Sequence, residues 1–284
     1  MNYKKWILLI SFIFLSQTVI AAQRIISLAP SITEILYCLN LDDEIVGVTT
    51  FCNYPAKALK KEKIGTFSTP DVEKILSLKP DIIFATSLEQ KFIVKKLKQL
   101  NLNIHISAPS NIQALFESIT EIGKLTNREK QAKKLIHQMK AKIKKVNKKV
   151  GQIPVQKRQK VFIEIWHDPL MTVGKDSFIN ELIDIAGGVN IAKDIARNYS
   201  YFSAEQVIKR NPDCIILGYM VKDKSLHFIN KRLGWSQINA VKNNQIFSDI
   251  NSDLFLRPGP RVVEGIKEIH ARLYPRKKIG YTSK

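Results

Sequence analysis

Short β-branched apolar runs alternate with segments of helical period along most of the chain, the pattern of α/β layers built around parallel sheets. In the first half, strands are predicted at 24–28, 44–49, 81–85 and 103–107, with helices at 31–39, 70–78, 89–100 and 111–125. Leu135, Ile136, Met139, Ile143, Val146 and Val150 then recur at helical spacing, which predicts one long helix. Thr126 and Glu129 have the spacing of a capping box at its start, and Gly151 is a stop signal at its end. About 24 residues at 1.5 Å each give a rod of roughly 36 Å. Beyond it the alternation restarts, with strands predicted at 161–166, 213–217 and 245–248 and helices at 177–186, 203–210, 224–233 and 260–273.

The two halves resemble each other. Glu73-Lys-Ile-Leu-Ser-Leu-Lys-Pro-Asp-Ile-Ile-Phe84 aligns without gaps on Glu205-Gln-Val-Ile-Lys-Arg-Asn-Pro-Asp-Cys-Ile-Ile216, at an offset of 132 residues. Each copy runs a short helix into a Pro-Asp step and then an apolar strand. Thr69 is the expected N-cap of the first copy, with Pro70 its first helical residue, and Ser203 the N-cap of the second. The predicted fold is therefore α/β: two Rossmann-like lobes with parallel-rich sheets, joined by one long rigid backbone helix, with a ligand cleft between the lobes. The divisions are 1–22, 23–125 for the N-terminal lobe, 126–151 for the connecting helix, 152–273 for the C-terminal lobe, and a basic tail at 274–284.

Composition changes this picture at two points. Residues 1–22 read as a signal peptide: Lys4 and Lys5, an apolar stretch from Trp6 to Leu15, then small residues with cleavage expected after Ala21 or Ala22. The apolar stretch is too short for the ~20 residues that span a bilayer. The expected product is a soluble exported protein, periplasmic in a double-membrane bacterium. The second point is the net charge of +20, which invites a nucleic-acid reading. Export argues against that partner. So does the charge distribution, because residues 124–160 carry 14 basic residues and only one acid, Glu129, while the remainder nearly balances. The excess is a solvated face of the long helix.

Catalytic motifs are absent. The sequence has no glycine-rich phosphate loop, no nucleophile elbow and no His-Glu-x-x-His helix, and its five histidines lack metal-ligand spacing. His167-Asp168 is the one pair placed for acid–base chemistry, and Pro169 reads it instead as a strand end entering a turn. Neither a catalytic residue nor a protein-held metal is expected. Cys38 and Cys52 lie close enough to bridge in an oxidising compartment, though spacing alone leaves them bridged or free. Cys214 reads as a buried strand residue.

What the chain offers is rings at strand ends and loops: Phe51, Tyr54, Phe67, Trp166, His167, Tyr199, Tyr201 and Phe202. In open α/β sheets ligands bind beyond the carboxyl ends of the strands, so about half of these rings are expected to face a flat, largely apolar ligand, with Phe202 in the core.

Several segments then resemble a known family. Arg24-Ile-Ile-Ser-Leu-Ala-Pro-Ser31, Asn53-Tyr-Pro and Asp71-Val-Glu-Lys are similar to the N-terminal lobe of helical-backbone periplasmic binding proteins. Trp166-His-Asp-Pro-Leu-Met-Thr-Val-Gly, Ser203-Ala-Glu-Gln and Arg257-Pro-Gly-Pro-Arg261 resemble their C-terminal lobe. These proteins serve ABC importers and carry cobalamin, ferric siderophores or haem, and the Asp-Pro-Leu-Met-Thr and Arg-Pro-Gly-Pro-Arg segments most resemble the members that carry cobalamin. The resemblance implies a non-enzymatic protein whose cargo is a metal chelate, with no resident cofactor. It implies a corrin faced by Phe51, Phe67 and Tyr199, with Asp253 and Arg257 as polar contacts at its rim; Arg261 would anchor the helix that follows. Haem would instead draw an axial ligand from His167, Tyr54 or Tyr199. An anionic siderophore would want several cations, of which Arg257 is the clear candidate. The resemblance further implies a monomer that docks on a homodimeric inner-membrane permease with its ATPase subunits, through Glu73 on one lobe and Glu205 on the other.

Overall fold

The computed structural model describes residues 23–86, 90–219, 229 and 231–275. The first lobe is built on four parallel strands, β1 (Ile25–Ser27), β2 (Ile45–Val48), β3 (Ile82–Ala85) and β4 (Ile104–Ile106), in the order β2-β1-β3-β4. β1 and β3 are buried throughout, as helices on both faces of a parallel sheet require. Ile25, Ile82 and Phe84 point to one layer, with α1 (Pro30–Cys38) and α4 (Ile112–Leu125). Ile26, Ile83 and Ala85 point to the other, with α2 (Val72–Ser77) and α3 (Lys91–Gln99).

The connecting helix, α5 (Glu129–Val150), has 22 residues and a length of about 33 Å. It buries Ala132, Met139, Val146 and Val150 and leaves its lysines outward. Its start differs from the capping-box expectation. Thr126 is the C-cap of α4, its Oγ1 donating to the Ile122 carbonyl at 2.7 Å. The chain then turns through Asn127 at φ +56°, a conformation asparagine tolerates. Arg128 occupies the N-cap position without a capping side chain. A helical period carried through both helices, so the pattern hid a corner.

The second lobe holds β5 (Lys160–His167), β6 (Leu170–Val173), β7 (Val189–Asn190), β8 (Tyr199–Tyr201), β9 (Cys214–Leu217) and β10 (Ile246–Phe247). The order is β10-β9-β5-β6-β8, with β7 pairing the start of β5. β7, β9 and β10 belong to the parallel core, while β6 and β8 extend it as antiparallel strands. That extension was not predicted, because segments of three or four residues between Pro169 and Phe202 are too short to display a period. α6 (Phe178–Ile185) and the C-terminal helix Val262–Leu273 pack on one face, and α7 (Ala204–Arg210) on the other. Phe202 is buried there against Phe162. The predicted helix at 224–233 and the basic tail fall largely outside the described residues.

The internal repeat is visible in atomic detail. Asp81 accepts the backbone N–H of Arg24 at 2.7 Å, and Asp213 that of Lys160 at 2.9 Å, so each aspartate ties down the residue before or opening its lobe's first strand. Lys79 and Asn211, two residues upstream, take positive φ values of 45° and 44°. The repeat helices open in register too, with one correction. Asp71 rather than Thr69 caps α2, accepting from the Lys74 N–H, while Pro70 stays in extended pairing with Gly65. Ser203 caps α7 as expected. Glu73 and Glu205 are thereby the second residues of their helices, both exposed.

The three cysteines are free. Thr33 and Thr49 place their hydroxyls 3.1 and 3.3 Å from the buried Cys52 sulfur. Cys38 is exposed at the end of α1, five residues and about 140° around the helix from Thr33, so it points away from Cys52.

Candidate ligand cleft

A cleft of about 800 Å³ opens between the lobes, at the carboxyl ends of the first lobe's strands. The first lobe presents Ala29 beyond β1, Phe51 beyond β2, Phe67, and Thr86 beyond β3. The second presents Phe178 at the start of α6, Tyr199 from β8, and Phe255 with Arg257 from the turn before the last helix. Phe51 and Tyr199 are each about half exposed, at 52% and 47%, in the open cleft. Ring surface left facing water in a concavity is surface that a flat ligand would cover, at about 25 cal/mol per Å².

The charges of the cleft are few and largely spoken for. Among the described residues, Asp176, Asp253 and Arg257 are the charged ones in its lining. Arg257 reaches Asp253 at 2.9 Å and crosses to the first lobe, donating to Asn53 Oδ1 at 2.7 Å. Behind it lies Glu34, 3.8 Å from Arg257 and accepting from Arg261 Nε at 3.0 Å and Nη2 at 2.6 Å. Burial pushes the Glu34 carboxyl above its ordinary range, against the opposing pull of Arg261 and then Arg257. Burial alone would lower the Arg261 pKa, but the Glu34 hydrogen bond and charge carry it up. Arg261 thus bridges the lobes instead of merely anchoring its own helix. Gly259 permits this approach: a Cβ there would stand 3.3 Å from the Ser31 carbonyl oxygen. A second interlobe contact lies at α6, where Glu181 accepts the Ile112 N–H at 2.6 Å at the start of α4.

Of the ring and polar residues expected at the site, Phe51, Phe67, Tyr199, Asp253 and Arg257 come together in the lining. Three do not. Tyr54 lies under the Arg261 guanidinium, 3.9 Å from its ring centre. Trp166 and His167 sit in the β5–β6 hairpin, with the indole N–H donating to the Asp168 carbonyl at 2.9 Å and the His167 ring 5.6 Å from that of Tyr219. The hairpin carries them past the lining because β5 continues where a plain parallel strand would have stopped. Phe178, Phe255, Asn53 and Glu34 were missed. Phe178 was legible as the first residue after the Ser177 cap at a strand–helix junction, whereas nothing local marks Glu34 as the partner of an arginine 227 residues away.

Among the described residues no cluster of His, Cys, Asp and Glu could hold a metal ion, and no helix is long and apolar enough to cross a membrane.

The family model of periplasmic binding proteins matches residues 25–251. The chain belongs to that family. An ABC transporter substrate-binding lipoprotein of Bacillus subtilis is 38% identical over 258 residues, 89% of this chain and 80% of that protein. Among solved structures, a possible iron-binding periplasmic protein of Staphylococcus epidermidis superposes at a TM-score of 0.79 with 35% identity, covering 89% of this chain and 98% of that one. The periplasmic vitamin B12-binding protein of Vibrio cholerae superposes at 0.76 with 28% identity, covering 89% and 96%. A periplasmic haem-binding protein of the same organism reaches 0.79 at 21% identity over 90% and 100%, a likeness of fold alone. This member of the periplasmic binding protein family is a substrate-binding component of an ABC transporter, which implies a permease and an ATPase as its working partners.

Proposed function

We propose that this periplasmic binding protein captures cobalamin or a related corrinoid after export and hands it to its permease. The observation that carries the reading is the charge of the cleft. Among its described lining residues are two carboxylates, Asp176 and Asp253, and one guanidinium, Arg257, which is engaged by Asp253 and Asn53. In a protein of net charge +20, the described residues of the cleft lining thus carry no surplus of cations. Haem carries two carboxylates, and catecholate siderophores are anionic; either would bring negative charge to an uncompensated site. A corrin with an apolar face and a rim of neutral amides suits rings on the walls and hydrogen-bonding groups at the edge. The vitamin B12-binding neighbour supports the same choice. Haem keeps one argument, since Tyr199 in the cleft wall offers a phenol as an axial ligand.

The test is to mix the purified protein with cyanocobalamin, haemin or a ferric siderophore, desalt, and record the visible spectrum. Retention of the cobalamin band in a one-to-one complex is the expected result. Retention of only the haem or siderophore band overturns the corrinoid reading.

Delivery follows from the repeat. Glu73 and Glu205 stand at matched places on the two lobes, which suits two equivalent arginine-bearing footholds on a two-fold permease. Glu73→Ala with Glu205→Ala should leave ligand affinity unchanged and abolish transport and complex formation. Normal transport by the double variant would return both residues to ordinary helix-start glutamates. In this account residues 1–22 are removed near Ala21 or Ala22, and the mature protein works as a monomer without catalysing a reaction.

A further inference from the structure

Three of the segments that form the first lobe's side of the cleft come from separate parts of the chain. Ala29 follows β1, Phe67 lies in the loop before α2, and Thr86 follows β3. One side chain joins them. Gln90, immediately before α3, is fully buried. Its amide nitrogen donates to the Leu28 carbonyl at 2.8 Å and to the Phe67 carbonyl at 2.9 Å. Its oxygen accepts the Thr86 N–H at 2.9 Å. Both amide hydrogens and the acceptor are therefore committed, each to a different segment of the cleft wall. Leu28 also donates its own N–H to the Phe84 carbonyl, so the β1 end is held from both sides.

We infer that Gln90 is a positioning residue for ligand binding: it fixes the backbone on which Phe67 and the Ala29 and Thr86 edges of the cleft are carried. The chemistry leaves no ordinary substitute. Glutamate keeps the acceptor but would set a carboxylate against two carbonyl oxygens. Leucine or methionine fills the space and leaves the buried Leu28 carbonyl and the half-buried Phe67 carbonyl and Thr86 N–H without this partner. The Leu28–Phe84 ladder bond and the Thr66–Thr69 turn do not depend on Gln90, so the fault falls on how the three segments are aligned with one another at the cleft wall. The inference rests on this cleft being the ligand site, as the proposed function has it, but not on the ligand being a corrinoid.

The test compares Gln90→Leu and Gln90→Glu with Leu97→Ala, which damages the same apolar layer without touching the cleft. Hydrogen exchange is followed in segments 27–31, 65–69 and 84–86, and the thermal midpoint of each variant is recorded. The expected result is exchange about tenfold faster or more in all three segments for both Gln90 variants, with Leu97→Ala near wild type there even where its midpoint falls further. A cyanocobalamin titration well below the midpoints should then show about tenfold weaker binding for the Gln90 variants and wild-type binding for Leu97→Ala. Faster exchange confined to one segment, or equal in the control, overturns the inference. So does wild-type affinity in a folded Gln90→Leu protein. If wild type itself retains no cyanocobalamin, the corrinoid reading fails, while the exchange comparison still decides the role of Gln90.

Discussion

The two lobes share a repeat and differ in everything that shapes the cleft. Their common part is a capped helix opening on a glutamate, a Pro-Asp step and a parallel strand, with Asp81 and Asp213 making the same backbone bond. Their differing parts face the cleft. The first lobe offers loops pinned by Gln90, and the second offers an antiparallel extension that carries Tyr199 and a short helical turn that carries Asp253 and Arg257. On the proposed function this division has a use: the repeat kept at the helix starts would give a two-fold permease two similar footholds, and the two different walls would suit an asymmetric chelate.

The sharpest way to break this comparison is at the bond between the lobes. Arg261→Ala strips Glu34, only 3% exposed at its side chain, of both hydrogen bonds and leaves Arg257, 3.8 Å away, as its remaining cation. The expected loss of stability is about 3 kcal/mol by urea unfolding. Arg261→Ala combined with Glu34→Leu should recover much of it, and equal losses in the single and double variants would show that the pair does not brace the lobes.

The next effect separates rings in the cleft from rings beside it. Tyr199→Ala should weaken ligand binding by about 1–3 kcal/mol. Trp166→Ala, in the hairpin, should leave binding unchanged within error, as read by calorimetric titration. Equal losses for the two would extend the site onto the hairpin.

A smaller effect tests the repeat itself. Asp71→Ala and Ser203→Ala each remove a capping oxygen and should each cost about 1 kcal/mol, while Thr69→Ala, outside the helix, should cost much less. The smallest expected change is mechanical. With α5, the Glu34–Arg261 bridge and the Glu181–Ile112 bond all spanning the lobes, ligand should leave the radius of gyration nearly unaltered in small-angle scattering. A clear contraction would reassign the connection as a hinge.

Local patterns announced much of this molecule. The eight principal strands and helices of the first lobe were legible because the central strands β1 and β3 are buried on both faces as apolar runs and the amphipathic helices show their period. The repeat motif was legible because Pro-Asp has a local backbone task at residues 80–81 and 212–213. Rings at strand ends located half the cleft. What stayed hidden depends on distance or brevity: β6 and β8 are too short to show a period, and the Glu34, Arg261 and Gln90 bonds join segments far apart in sequence. Trp166 misled because a strand end was read where the chain turns back as a hairpin.

The most direct measurement is a crystal structure of the protein grown with cyanocobalamin. The account predicts a corrin between Phe51 and Phe67 on one side and Tyr199 on the other, its amide rim against Asp253 and Arg257, with the Glu34–Arg261 bridge unbroken. A corrin seated on the Trp166 hairpin, or a cleft left empty at saturating cobalamin, would contradict it.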